Sequence, residues 1–521
     1  MISADSQAAT SGQQAGASRS AEVKFAIIGA GFAGLGAAIK LLQAGHRDLV
    51  ALERADEVGG TWRDNTYPGC RCDVQSNLYS FSFAPNPDWT NTFPAQPELR
   101  SYLNDVATRF GLRRYLRFGC DVTGVRWEET DRLWHIATPH GAVRARFVIA
   151  GAGSLAEPSL PDIPGIERFA GRVMHSARWD ATWSPARRRV AVIGTGASAI
   201  QIVPAIQPQV EHLTVFQRSA AYVVPHTGKP VEPWRSAVYR HVPGAQSASR
   251  VATYWMRELL VFGFVKRPSI LKKAEAVWKT HLERAVADPG KRQKLTPHYD
   301  LGCKRVLPSN DFYPAVAAAN VDLVTEKIIE FTPDGIVTAD GRTHLVDTVV
   351  LATGFRVTDS PMFGKITGRD GRTLADAFGQ TYLGTVVPGF PNYFQLSGAN
   401  TGLGHSSIVF MIQSQLAYVL DAVRAIDAVG GGPAEVRPQI AAVCNAELQR
   451  KLPATVWGSG CASWYLDSEG RNVTLWPGFT ISGGAPGASA RPTSSSAAQR
   501  TELRGFRRRV CRACGPAGAE Q

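Results

Sequence analysis

Lys24-Phe-Ala-Ile-Ile-Gly29-Ala-Gly31-Phe-Ala-Gly34 is a short apolar run that ends in three spaced glycines. An apolar run leading into G-x-G-x-x-G predicts a buried parallel strand feeding a helix. The first glycine permits the tight turn, the second lets backbone approach a pyrophosphate, and the third brings helix and strand together. The helix start then offers N–H groups and a positive dipole end to phosphate. Residues 33–42 are the predicted helix, closed by Gly45, and residues 48–52 the next strand, completing a β-α-β unit. Arg189-Val-Ala-Val-Ile-Gly194-Thr-Gly196-Ala-Ser-Ala199 repeats the pattern. The fold class is therefore α/β, with two Rossmann-like dinucleotide-binding domains.

The charge placed a fixed distance beyond each loop separates the two sites. Glu53 lies twenty-four residues after Gly29, at the end of the second strand. An acid there accepts ribose hydroxyls and repels a 2′-phosphate, which suits FAD. Arg218 lies twenty-four residues after Gly194. A guanidinium at the matching position clamps a 2′-phosphate, which suits NADPH. Gly29, Gly31, Gly34 and Glu53 are thus assigned to FAD, and Gly194, Gly196 and Arg218 to NADP. The alternative is a pair of flavin-fold remnants with exposed charges.

Working outward, residues 1–20 read as a disordered leader and residues 21–155 as the first part of the FAD domain. Arg146-Phe-Val-Ile-Ala-Gly-Ala-Gly153 is a strand that returns to the first sheet. The prolines at 158, 161 and 164 mark the crossing into an NADP domain over 156–345, with a helical insertion at about 230–300. Leu345-Val-Asp-Thr-Val-Val-Leu-Ala-Thr-Gly354 is expected to lead back to the FAD domain, whose second part covers 346–480. Residues 481–521 hold seven Arg against two Glu among Gly, Ser, Ala and Pro, and are expected to be a disordered basic tail.

The formal net charge of +13 draws on that tail and on the need to bind anionic dinucleotides. No nucleic-acid-reading motif is visible, so nucleic acid is not an expected partner. The eight cysteines form no disulfide framework and no zinc spacing, so neither a disulfide nor a metal is expected. That usage, with no signal-like apolar leader, suits a reducing cytoplasm. No run of about eighteen apolar residues exists, so stable membrane insertion is not expected.

Between the two loops, Phe169-Ala-Gly171-Arg-Val-Met-His175-Ser-Ala-Arg-Trp179-Asp180 resembles the signature of type I Baeyer–Villiger monooxygenases, F-x-G-x-x-x-H-x-x-x-W-[P/D]. Phe169, Gly171, His175, Trp179 and Asp180 match at every specified position. Gly60-Thr61-Trp62-Arg-Asp-Asn-Thr-Tyr67-Pro-Gly69-Cys-Arg-Cys-Asp73 resembles a second family motif. The resemblance covers residues 24–480. It implies a flavoprotein using FAD, NADPH and O2 to turn a small-molecule ketone into an ester or lactone through a C4a-peroxyflavin.

The resemblance also implies site residues. Gly60, Thr61, Trp62, Asp73, Tyr79 and Val122 join the FAD set, with Asp73 placed beside the nicotinamide. Thr195, Ser198, Ser219, Lys304 and Arg305 join the NADP set. Arg305 becomes the partner of the peroxide, oriented by Asp73, because a fixed cation keeps a nucleophilic peroxide deprotonated and stabilises the adduct oxyanion. The alternative for Lys304-Arg305 is a solvated basic pair, and relatives carry Pro where this chain has Val306. Trp464 matches a mobile substrate-loop tryptophan. His175 is read as structural or as a hinge, and Asn400 with Gly402–Gly404 as a cap on the flavin pyrimidine.

Two enzyme classes compete. An N- or S-oxygenating flavin monooxygenase lacks both the Trp179-Asp180 ending and the active-site Arg. A disulfide reductase needs a redox-active cysteine pair near the flavin, which the spacing does not provide. An inactive flavin-binding paralogue is the non-enzymatic alternative.

Overall fold

The computed structural model describes residues 21–266, 271–480 and 514–516. The leader and most of the expected tail lie outside them. Within the tail, Cys514–Pro516 is a strand antiparallel to Ala434–Val436, so regular structure occurs where none is expected.

Two sheets organise the chain. The first has eight strands and is built around Ala21–Ile28. That strand is parallel to Leu49–Leu52 on one side and to Gly141–Ala150 on the other. Gly124–Glu128, Leu133–Thr138 and Gly141–Ala150 run as an antiparallel meander beside it. Residues from much later return here: Tyr393–Gln395 pairs with Gly141–Ala150, and Ile366–Thr367 with Gly124–Glu128.

The glycines do what their spacing implies. Gly29 has φ +93°, and a Cβ there would sit 2.7 Å from the Gly151 carbonyl oxygen. A Cβ on Gly34 would sit 1.8 Å from the Gly29 oxygen, so only glycine allows helix Phe32–Gln43 to seat on its strand. The other face of that helix packs on Ile408–Ala428. The latter is long and apolar enough to cross a membrane by composition alone, yet 61% of its apolar window is buried inside the protein. The protein core accounts for its apolarity.

The second sheet is five-stranded and wholly parallel, in the order Val321–Val324, His212–Phe216, Arg189–Ile193, Thr348–Leu351, Arg172–His175. Thr348–Leu351 therefore lies inside the second sheet, and the expected boundary before residue 346 is wrong. Its side chains are buried on both faces, as an interior parallel strand requires. The return to the first sheet comes later, at Ile366.

The insertion is helical as expected: Pro233–His241, Ala245–Val261, Leu271–Ala285 and Pro289–Lys294. Its longest helix carries Arg257 back to the first domain.

Candidate active site

Arg305 precedes the short strand Leu307–Pro308, which pairs with Val223–Val224 of the second domain. Asp73 ends the Gly60–Asp73 motif of the first. Arg305 Nε donates to Asp73 Oδ2 and Nη2 to Oδ1, each at 2.7 Å. The carboxylate holds the guanidinium pKa above its ordinary value, outweighing the opposite effect of burial. Arg305 therefore remains a cation at any working pH. Its Nη1 makes only a 3.4 Å contact with the Leu403 carbonyl.

Three residues around this pair carry no sequence signal of their own. Arg257 donates through Nη2 to the Asp73 carbonyl at 3.0 Å and through Nε to Gln75 Oε1 at 2.8 Å, fixing the backbone of the Asp73 turn. Tyr465 is buried beside Arg305 and Asp73, and burial pushes its phenol up to about 12, so it stays neutral. Cys72 is buried with its thiol held well above the usual range, so it is not a nucleophile.

Several of the residues assigned to FAD lie close together. Gly60 approaches Gly31, where a Cβ would meet the Gly60 Cα at 3.6 Å. Helix Phe32–Gln43 has no side-chain cap, so its first N–H groups are left for a pyrophosphate. Glu53 is buried at the end of its strand and accepts from Ala30 N at 2.7 Å, Ala55 N at 3.1 Å and Arg63 Nη1 at 2.9 Å. Trp62 donates its indole N–H to the Tyr79 hydroxyl at 3.2 Å, and the rings meet edge to face. Thr61 opens the helical turn Thr61–Asp64, and Val122 is buried under the first sheet.

The residues assigned to NADP also converge. Gly194 has φ +117° at the end of its strand, and a Cβ on Gly196 would meet nothing within 4 Å, leaving room for a ligand. Thr195 Oγ1 donates to the Ser219 carbonyl at 2.9 Å, and Lys304 Nζ to Ser219 Oγ at 3.0 Å. Burial, then the nearby Arg218, lowers the Lys304 pKa. Two cations and a hydroxyl with no paired carboxylate among the described residues suit a 2′-phosphate. Ser198 begins helix Ala199–Ile206, which has no side-chain cap. That helix also receives the first domain: Tyr67 donates to Gln201 Oε1 at 3.1 Å.

The signature segment Phe169–Asp180 builds the edge of the second sheet. Phe169 is buried against Phe331, and a Cβ on Gly171 would strike both the Phe169 ring and the Asp347 carbonyl. His175 is buried, and its Nδ1 accepts from Ala177 N at 3.1 Å. Burial lowers its pKa to about 4, so the ring is neutral near pH 7. Trp179 packs edge to face on Trp183, while Asp180 caps Thr182 and pairs with Arg172.

Two expectations fail. Asn400 does not lie free to cap a ring: its amide donates to the Asn472 and Leu475 carbonyls, both at 3.0 Å, and pins that loop. The cysteines do form a disulfide, between Cys303 and Cys461. The two are 158 residues apart, and no local spacing pairs them. Trp464 is 48% exposed and lines a cleft of about 430 Å³ with Pro158, Leu160 and Phe355.

Residues 26–242 match the pyridine nucleotide-disulphide oxidoreductase family model. A Baeyer-Villiger monooxygenase of Streptomyces coelicolor is 47% identical over 88% of this chain and 89% of its own. The chain belongs to the Baeyer–Villiger monooxygenases. A second member, from Pseudomonas aeruginosa, is 44% identical over 88% of both chains. The crystal structure of OTEMO in complex with FAD and NADP superposes with TM-score 0.82 at 26% identity, covering 95% of this chain and 99% of that one. The protein is an FAD-dependent, NADPH-using monooxygenase that converts a ketone to an ester or lactone.

Proposed function

We propose that Arg305, held by Asp73, is the residue on which ketone oxygenation in this chain depends, and that Arg218, Ser219 and Lys304 select NADPH. Bound FAD, reduced by NADPH, supplies the activation of dioxygen. The chain's own contribution is electrostatic. Attack on a ketone carbonyl builds negative charge on its oxygen, and a preorganised cation lowers the energy of that state. Asp73 takes one edge of the guanidinium and so leaves Nη1 as the end that can meet an oxyanion. The neutral phenols of Tyr465 and Tyr79 and the protonated Cys72 close the surroundings without adding competing charge.

The two-point Arg305–Asp73 contact is the observation that carries this reading. A solvated basic pair would not be locked to a carboxylate across two domains. It also favours ketone insertion over N- or S-oxygenation, which has no need of a fixed cation. O2 and a small ketone are the partners, and the Trp464 cleft is where we place the ketone's entry. Arg305→Ala is expected to keep FAD and to be reduced by NADPH, while ester or lactone formation disappears. Undiminished ketone conversion by that variant would refute the assignment.

A further inference from the structure

The Cys303–Cys461 bond joins the two segments that matter most to the site. Cys303 is two residues before Arg305, and Cys461 is three before Trp464. Cys303 is fully buried, whereas Cys461 is half-buried. Beside the bond, Gly302 packs against Phe264, which stacks on Trp457 at 6.1 Å. Between Trp457 and Tyr465, both buried, the chain surfaces: Ser459, Gly460 and Ala462 are exposed, as is Trp464. Among the described residues of 458–464, Cys461 makes the one covalent link to the body of the protein.

We infer that Cys461 and Cys303 are positioning residues that hold the Trp464 segment over the Arg305–Asp73 pair, so that ketone binding depends on whether the disulfide is intact. This rests on the reading of Arg305 and Trp464 given above. A loop tied at its midpoint has few conformations to lose on closing over a ligand, and cutting the tie restores that entropy cost. Reduction proceeds by thiol–disulfide exchange. A dithiol's thiolate attacks the more accessible Cys461 sulfur and the S–S bond breaks. Cys303 leaves as a thiolate and takes up a proton. The dithiol's second thiol then displaces Cys461 from the mixed disulfide. Two electrons enter the cysteine pair, and the dithiol becomes a cyclic disulfide. Hydrogen peroxide reverses this, taking two electrons from the two thiols to form the bond and two waters. The other thiols near the site do not compete, because burial holds Cys70 at about 11 and Cys72 well above its usual range.

The test uses the full-length holoenzyme, air-oxidised or treated with dithiothreitol, beside Cys461→Ser. Non-reducing tryptic mapping should find Leu295–Lys304 linked to Leu452–Arg471 in the oxidised protein; absence of that linked pair overturns the proposal. Chymotrypsin cleavage at Trp464 should be at least about threefold faster after dithiothreitol, since cleavage follows the open population of the loop. Cys461→Ser should be cut at the fast rate with or without the reductant. With cyclohexanone as the probe, KM should rise at least about threefold on reduction while kcat changes less, as expected for lost preorganisation. Equal cleavage rates in both thiol states, or an unchanged KM, would overturn it. A protein that turns over no cyclohexanone bears on its substrate, and the cleavage rates still decide whether the loop is held.

Discussion

Arg305 and Asp73, 232 residues apart in the chain, meet through two parallel contacts of 2.7 Å. One residue comes from each domain, so the ion pair exists only when the domains are docked. Tyr67–Gln201 and Arg257–Asp73 reinforce the same junction. The site is thus a property of the interface, with neither sheet sufficient for it.

Asp73→Asn should expose the value of that pairing. An amide cannot accept at both positions, and its NH2 group faces a guanidinium with nothing to offer. Losing one charge-assisted contact costs about 1.5–3 kcal/mol, which corresponds to roughly tenfold to a hundredfold in rate. Product formation per NADPH consumed should fall, and the remaining NADPH oxidation should appear as hydrogen peroxide. Steady-state assays that follow ester, NADPH and peroxide together measure this. Tight coupling in the variant would show that Asp73 does not orient Arg305.

Coenzyme choice should lie with the cluster at Ser219. Arg218→Ala and Lys304→Ala each remove one cation from an arrangement with no paired carboxylate among the described residues. Each should raise KM for NADPH by about tenfold to a hundredfold and barely change that for NADH, which has no 2′-phosphate. An equal rise for both coenzymes would move the effect away from the 2′-phosphate.

His175 should make stability depend on pH, with a sign set by its burial. Its folded pKa is about 4, below the ordinary 6.5. As pH falls from 6.5 to 4 the unfolded chain takes up a proton that the folded one refuses, so stability is present above 6.5 and is lost across that window. The loss should reach up to about 3 kcal/mol. His175→Asn, which retains an acceptor for Ala177 N, should flatten this part of the curve. Urea unfolding at pH 7, 6, 5 and 4.5 measures it; identical slopes in the two proteins would place the acid sensitivity elsewhere.

Local features are legible in the sequence and long-range ones are not. Gly29, Gly34 and Gly194 announce themselves because their chemistry is set by residues within a turn or a strand end. Arg305 and Asp73 are reached only through a family resemblance, since nothing in a Lys-Arg pair points to a carboxylate 232 residues earlier. Thr348–Leu351 goes to the wrong sheet on sequence alone because a parallel strand's partners are distant, and an apolar run suits either sheet. Tyr465, next to Trp464, lacks any spacing signal, and Cys303 with Cys461 lacks a short loop to pair them. Asn400 looks free in the sequence because its acceptors, the 472 and 475 carbonyls, belong to a loop without regular structure.

Thr480, where the expected core ends, is anchored inside the protein. Its side chain is buried, and it meets Glu258, a carboxylate only 1% exposed in the inserted helix. Thr480 N donates to Glu258 Oε2 at 3.1 Å, its hydroxyl donates to Oε1, and Tyr254 shares that hydroxyl at 2.9 Å. His405 approaches the same carboxylate at 3.4 Å. A buried charge is tolerable only while its donors are present. Thr480→Val keeps the volume but removes the hydroxyl, and should cost about 1.5–3 kcal/mol, whereas Thr480→Ser should cost well under half of that. Because Glu258 adjoins Arg257, which holds the Asp73 carbonyl, the same change should also loosen the site and raise KM for the ketone before FAD is lost. Urea midpoints and flavin content of the two variants check both statements. A Thr480→Val protein as stable as the parent would mean that water or His405 satisfies Glu258 and that Thr480 does not anchor the inserted helix.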